Sequence, residues 1–156
     1  MTESDFVARL EPLKARLYRT ALLYLGGEAA ALDAVDEAVY RGLTGCKKLR
    51  EPDFFDTWMT RILINVCNDE LRRRKKEHPV EVLPETAQEA FDSLPLRCAV
   101  EALPPPLRAI IVLRFFAGYT LAETARALDL PPGTVSTRQR KALALLRLEL
   151  SDSEEV

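Results

Sequence analysis

With 156 residues the chain is long enough for one ordinary domain or two small helical ones, and too short for a dinucleotide-binding fold with a separate substrate domain. Hydrophobic residues at 47% and charged residues at 29% exclude a disordered chain, and apolar runs such as Ala109 to Leu113 fall far short of the roughly 20 residues that cross a bilayer. The net charge of -2 argues against a nucleic-acid binder in bulk, but the charge is segregated: residues 1 to 78 hold 14 Lys+Arg and 13 Asp+Glu, residues 79 to 106 hold 1 and 5, and residues 107 to 156 hold 7 and 6.

In chain order, the spacing is helical almost throughout, which predicts an all-α fold. A first helix is expected from about Glu3 to Leu25, with Phe6, Leu10, Leu13, Leu17 and Tyr24 inward, kinked or divided at Pro12 and ended by Gly26-Gly27. A second, about Glu28 to Leu43, places Leu32, Val35, Val39 and Leu43 inward and turns Asp33, Asp36 and Glu37 outward. After the turn Lys47 to Asp53, a long helix to about Lys76 carries an apolar stripe (Phe55, Met59, Ile62, Val66) beside a stripe of Trp58, Arg61, Asn65, Asn68 and Arg72. It ends in the cationic block Arg72 to Lys76.

Residues 78 to 93, with two prolines and four acids, read as a flexible acidic linker between two small helical domains, 1–77 and 94–156. The second domain opens with a short helix near Pro95 to Leu103, broken by Pro104-Pro105-Pro106. The next, Leu107 to Phe116, is apolar nearly all round and must be buried, with Gly118 as its cap. Thr120-Leu-Ala-Glu123 is a capping box that starts a helix to about Leu128. A turn at Asp129 to Pro131 leads to a last helix from about Pro132 to Leu150, with a frayed acidic tail.

Two helices around a tight turn, the second opening GTVSTRQRK, form a helix-turn-helix. A helix entering a major groove needs short polar and cationic side chains in its first turns, and Thr134, Ser136, Thr137, Arg138, Arg140 and Lys141 supply them, with Val135 and Leu143 inward. On the long helix, aromatic and amide groups beside cations suit an unpaired strand, whose bases stack and whose phosphates need neutralising: Phe55, Trp58, Arg61, Asn65, Asn68, Arg72, Arg73 and Arg74. Each group also has a plain alternative: Trp58 as core, the cationic block as a solvated helix end, the acids as helix-dipole partners.

The stretch Leu103 to Leu148 resembles region 4 of the sigma-70 family of transcription initiation factors at Leu103-Pro104, Arg108, Gly118, Thr120, Glu123, Ala125, Leu128, Gly133-Thr134-Val135 and Arg138. Asp33 to Lys76 resembles region 2 of the same family, and two such regions with a short linker resemble its extracytoplasmic-function group. The resemblance implies a region 2 helical bundle and a region 4 helix-turn-helix bundle. It implies -35 recognition by the last helix and -10 melting by the long one, with a flipped-base pocket in the loop Leu49 to Phe55. It further implies core RNA polymerase as partner, gripped at its clamp helices by Asp33, Asp36 and Glu37 and touched at its flap, besides promoter DNA, with room for an anti-sigma factor that the sequence does not identify. Two departures, Gln139 at a position the family keeps apolar and Ala142 to Leu146 without the usual Arg and Lys, predict weakened or shifted -35 docking.

One histidine, three cysteines without a CxxC pair and no phosphate-binding glycine motif predict no catalytic site, metal or cofactor. The opening MTESDFVARLEPLK has no apolar signal core, so the chain reads as cytoplasmic, with no membrane insertion. Two rivals remain: a dimeric helix-turn-helix regulator acting alone, in which a strand-melting stripe has no use, and a polymerase-binding protein without productive promoter binding.

Overall fold

A computed structural model describes residues 1–77 and 94–154; the expected linker 78–93 lies outside the described residues, as does His78. The described residues are helical and contain no strand. Helix α1 is Glu3–Leu10, a 3-10 turn at Glu11–Leu13 carries Pro12, and α2 is Lys14–Leu25, so the proline divides the first helix rather than bending it. The Thr2 hydroxyl accepts from Asp5 N at 3.1 Å and caps α1, and Gly26 ends α2 at φ 85°, a left-handed conformation that costs glycine nothing. Helix α3 is Glu28–Gly45 and α4 is Phe55–Glu77, preceded by a 3-10 turn at Pro52–Phe54.

The inward face of α3 differs from expectation. Its buried residues are Ala31, Ala34, Ala38 and Gly42, whereas Leu32 is 54% exposed and Val35, Val39 and Leu43 are half-buried. Close helix crossing is the reason: a Cβ built on Gly42 would lie 2.6 Å from Met59 Sδ of α4 and 3.0 Å from the Phe6 ring, so only small residues fit along this seam.

In the second helical unit, α5 is Leu94–Ala102, α6 is Pro105–Ile111, α7 is Leu121–Leu128 and α8 is Pro132–Glu154. The prolines that break the chain after α5 also start α6, where a missing N–H has no consequence. The expected helix to Phe116 changes hand-hold at Val112: Val112–Phe116 is a π-helical turn, in which Ala117 N bonds the Val112 carbonyl at 2.9 Å. Helix α8 runs past the expected end at Leu150 to Glu154.

The two units share one apolar core. A single cluster joins Phe6, Leu17 and Leu63 of the first unit to Val100, Leu107 and Ile111 of the second. This fits a helix that is apolar nearly all round: Ile110 packs with Ala125 and Val135 inside the second unit, while Leu107, Ala109 and Ile111 belong to the shared core. Arg108, 9% exposed, crosses the junction, donating to the Tyr24 carbonyl at 2.6 Å, the Glu101 carbonyl at 2.6 Å and the Leu103 carbonyl at 3.1 Å. Burial lowers its pKa below the ordinary value, which for a guanidinium still leaves it charged.

Candidate nucleic-acid interface

The helix-turn-helix is built from local signals that agree. Thr120 Oγ1 accepts from Glu123 N at 3.1 Å and Glu123 Oε1 accepts from Thr120 N at 2.9 Å, completing the capping box and holding the Glu123 carboxyl below its usual pKa. Asp129 takes the left-handed conformation at φ 56°, and Leu130 N closes back on the Ala125 carbonyl at 2.9 Å, which turns the chain into α8. Ile110, Ala125 and Val135 form the core beneath.

On α8, Thr137, Arg140 and Lys141 are exposed, and Thr134, Ser136 and Arg138 are half-buried. Val135 is fully buried as expected, but Leu143 is 36% exposed; Ala142 and Leu146 take the inward positions. Gln139 sits on this inward stripe, between Val135 and Ala142, where an amide requires a partner. Arg114 of the π-helical turn provides it, donating Nε to Gln139 Oε1 at 2.9 Å and Nη1 to the Tyr119 carbonyl at 2.8 Å. Gln139 is therefore anchored on this inward stripe by Arg114.

Helix α4 sorts its expected strand-binding residues differently. Phe55 is 1% exposed, its ring tilted against that of Phe6 at 5.5 Å, so it belongs to the core and offers no ring to a base. Its neighbour Phe54, 39% exposed, is the accessible aromatic of this loop, and the helical spacing of Phe55 with Met59 and Leu63 was the signal that distinguishes them. Trp58 is half-buried, 6.0 Å from Phe55, while Asn65 and Arg72 are exposed. Arg61 turns to the second unit, donating to the carbonyls of Arg126 and, at 3.4 Å, Ala127. Asn68 is also engaged, its Oδ1 2.6 Å from Tyr24 Oη, which lies 3.1 Å from the Pro105 carbonyl as well.

The cationic block is largely paired within its own helix. Arg72 contacts Asp69, Arg73 bonds Glu70 at 2.7 Å and Glu77 at 2.7 Å, and Arg74 bonds Glu70 at 3.2 Å and the Leu25 carbonyl at 2.9 Å. The Arg73 hydrogen bond, ahead of any other cause, holds the Glu70 carboxyl below its usual pKa. Such exposed pairs are worth about 0 to 1 kcal/mol each and exchange readily for phosphate.

Asp33 and Asp36 are exposed on α3 and make no ion pair among the described residues, whereas Glu37 accepts from Arg41 Nε at 3.0 Å. A groove between α3 and α4 continues this face, with Asp33, Glu37, Asp69 and Glu70 along it beside Arg41 and Arg73. Asp69 and Glu70, one turn before the cations, were masked in the sequence by the net positive charge of their segment.

Residues 10–77 match the family profile for sigma-70 region 2, and residues 99–148 match that for sigma-70 region 4. The RNA polymerase sigma factor SigV of Bacillus subtilis is 30% identical over 98% of this chain and 95% of its own length. The ECF RNA polymerase sigma factor SigM of Mycobacterium tuberculosis is 33% identical over 84% of this chain and 69% of its own. The chain belongs to the sigma-70 family, in its extracytoplasmic-function group.

It is thus a sigma factor, working with core RNA polymerase in promoter-specific initiation of transcription. Its fold is that of the sigma factor RpoE of Bartonella quintana, solved in complex with the anti-sigma factor NepR, at a TM-score of 0.79 and 21% identity over 94% of this chain and 97% of that one. CnrH, solved with the cytosolic domain of CnrY, is similar at a TM-score of 0.71 and 20% identity, covering 94% of this chain and 88% of that one. Among the described residues of this sigma factor, no helix is long and apolar enough to cross a membrane. Its buried thiol at Cys67 is pushed up to about 12 by desolvation and stays protonated, which makes it unreactive.

Proposed function

We propose a division of labour in which α8 reads the -35 element, α4 with its preceding loop captures the -10 strand, and α3 holds core polymerase. The observation that carries it is the capped, fully packed helix-turn-helix, which leaves Thr137, Arg140 and Lys141 exposed, with Arg138 beside them, at the start of α8. Thr134, Ser136 and Thr137 add short polar groups, the chemistry that base edges and phosphates require. On α4 the strand-capturing set is Phe54, Trp58, Arg61, Asn65, Asn68 and the cations Arg72, Arg73 and Arg74, with Phe55 supporting it from the core.

Asp33, Asp36 and Glu37 face a partner together with exposed Leu32 and Tyr40, a mixture of apolar and acidic groups that suits a protein surface and repels DNA. The polymerase clamp helices fit there, the flap belongs with the second unit, and an anti-sigma factor, the kind of partner that accompanies RpoE, would compete for these surfaces. The protein acts in the cytoplasm as a specificity subunit with no catalysis of its own.

The test is in vitro transcription with core polymerase on a library of random promoters. The proposal expects products that start a fixed distance downstream of two enriched elements, and a charge reversal of Asp33, Asp36 and Glu37 should lower both polymerase pull-down and transcript yield. Tight, sequence-specific binding by the chain alone, with no polymerase-dependent transcript, would favour a stand-alone regulator.

A further inference from the structure

A helix that reads base edges must be held at a fixed angle about its own axis. Val135, Gln139, Ala142 and Leu146 follow one another at helical spacing on the inward side of α8, and Thr137, Arg140 and Lys141 lie across the helix from them, exposed. Val135 and Ala142 are wholly buried, but apolar contacts have no direction, and a methyl group as small as that of Ala142 resists rotation little. A side-chain tip stands roughly 5 to 6 Å from a helix axis, so a turn of about 10° carries it about 1 Å, enough to spoil a hydrogen bond to a base.

Between those two apolar positions lies a directional contact. Arg114 Nε donates to Gln139 Oε1 at 2.9 Å, and Arg114 is itself fixed: its Nη1 donates to the Tyr119 carbonyl at 2.8 Å, and its guanidinium lies 5.5 Å from the centroid of the Phe115 ring. The π-helical turn that carries Arg114 is also tied down, with Leu113 and Tyr119 buried against Ala127 and Tyr119 N bonded to the Leu113 carbonyl at 3.0 Å. The anchor of Gln139 therefore stands on packed backbone.

We propose that Gln139 and Arg114 are positioning residues for -35 recognition: their hydrogen bond fixes the rotation of α8 about its axis and so sets which bases Thr137, Arg140 and Lys141 favour. The inference rests on the -35 reading of α8. It gives a part in specificity to an inward amide and to an arginine of another helix, both acting through the angle of α8 and not by contact with a base. An apolar residue at position 139 would fill the same space, but it would leave Arg114 Nε without its acceptor and the helix without its directional tie.

The experiment uses the full chain with core polymerase, a promoter library randomised over the -35 element with the -10 element fixed, and promoterless duplex DNA as the measure of nonspecific binding. Gln139→Leu keeps the bulk of the side chain and removes the acceptor, whereas Gln139→Glu keeps the acceptor. Gln139→Leu should lower discrimination at one or two -35 positions by about three- to tenfold, part of what one good base contact supplies. Affinity for promoterless duplex should stay within about twofold at every salt concentration, because no phosphate contact is lost. Gln139→Glu should retain the parent preference. Arg114→Leu combined with Gln139→Leu should discriminate no worse than Arg114→Leu alone, as two halves of one contact must. A role in packing alone would lower thermal stability and leave the base preference where it was.

Unchanged -35 discrimination in Gln139→Leu, shown folded by circular dichroism, overturns the proposal. So does a loss matched by an equal loss on promoterless duplex, or Gln139→Glu behaving as Gln139→Leu does. Failure of the underlying reading looks different: Arg140→Ala and Lys141→Ala would then leave -35 discrimination intact as well.

Discussion

Helices α4 and α8 are both 23 residues long, both carry cations along one face, and they meet solvent in opposite ways. The opening turns of α8 keep Thr137, Arg140 and Lys141 exposed, while the capping box and the Ile110, Ala125 and Val135 core support the helix from behind. On α4 the polar stripe is divided: Asn65 and Arg72 are exposed, while Arg61 and Asn68 hold the second unit and Tyr24. A surface that reads duplex DNA can be displayed permanently, since the duplex needs no rearrangement to be read. On the proposed reading, a surface for an unpaired strand is needed only after melting, and Arg61 and Asn68 of that surface are engaged within the chain.

The largest effect expected bears on what holds the two regions together. Arg108→Ala removes the donor for three carbonyls from both units, leaves them buried, and should cost about 3 to 5 kcal/mol in denaturant unfolding. Because one core spans both units, unfolding should stay a single transition when followed by Trp58 fluorescence and by helical signal; two separated transitions would show that the units are independent.

A smaller effect sharpens the contrast between the helices. Arg61→Ala should cost about 1 kcal/mol of stability, having lost its hydrogen bonds to α7, whereas Arg140→Ala on exposed α8 should change stability by less than about 0.5 kcal/mol. Equal effects in thermal unfolding would contradict the different exposure of the two faces.

Thr120→Ala removes one half of the capping box and should cost about 1 kcal/mol. The other half gives the smallest effect and a direction with pH. Glu123 has a depressed carboxyl pKa in the folded chain, so its contribution is complete above the ordinary glutamate value of about 4.3 and is lost as pH falls below it. In an unfolding series from pH 6 down to 3, the gap between the parent and Glu123→Gln should narrow over that last interval.

Much of the fold was legible because local signals agreed with one another. Pro12, Gly26, the capping box and the turn at Asp129 each act within a few residues, and each forms as its chemistry requires. The inward face of α3 was not legible from hydrophobicity, which ranks Leu32 above Ala31 and is blind to how closely α4 approaches; Gly42 was the residue that carried that information. Phe54 and Phe55 are adjacent aromatics, and only the spacing to Met59 and Leu63 assigns one to the core and the other to the surface. Contacts of Arg61 with α7 and of Arg108 with Tyr24 span 65 and 84 positions in sequence. No local pattern encodes them; a helix apolar nearly all round showed only that it is buried.

The assignment of α8 to the -35 element and α4 to the -10 strand is tested most directly in the polymerase complex, by permanganate footprinting of unpaired thymines beside a -35 competition assay. Arg138→Ala should relax discrimination at one or two -35 positions by about 1 to 3 kcal/mol and leave a premelted -10 template fully open. Arg61→Ala with Asn65→Ala should reduce thymine reactivity and leave -35 preference intact. Loss of opening on the premelted template with Arg138→Ala, or a change confined to -35 preference with the α4 pair, would contradict the account.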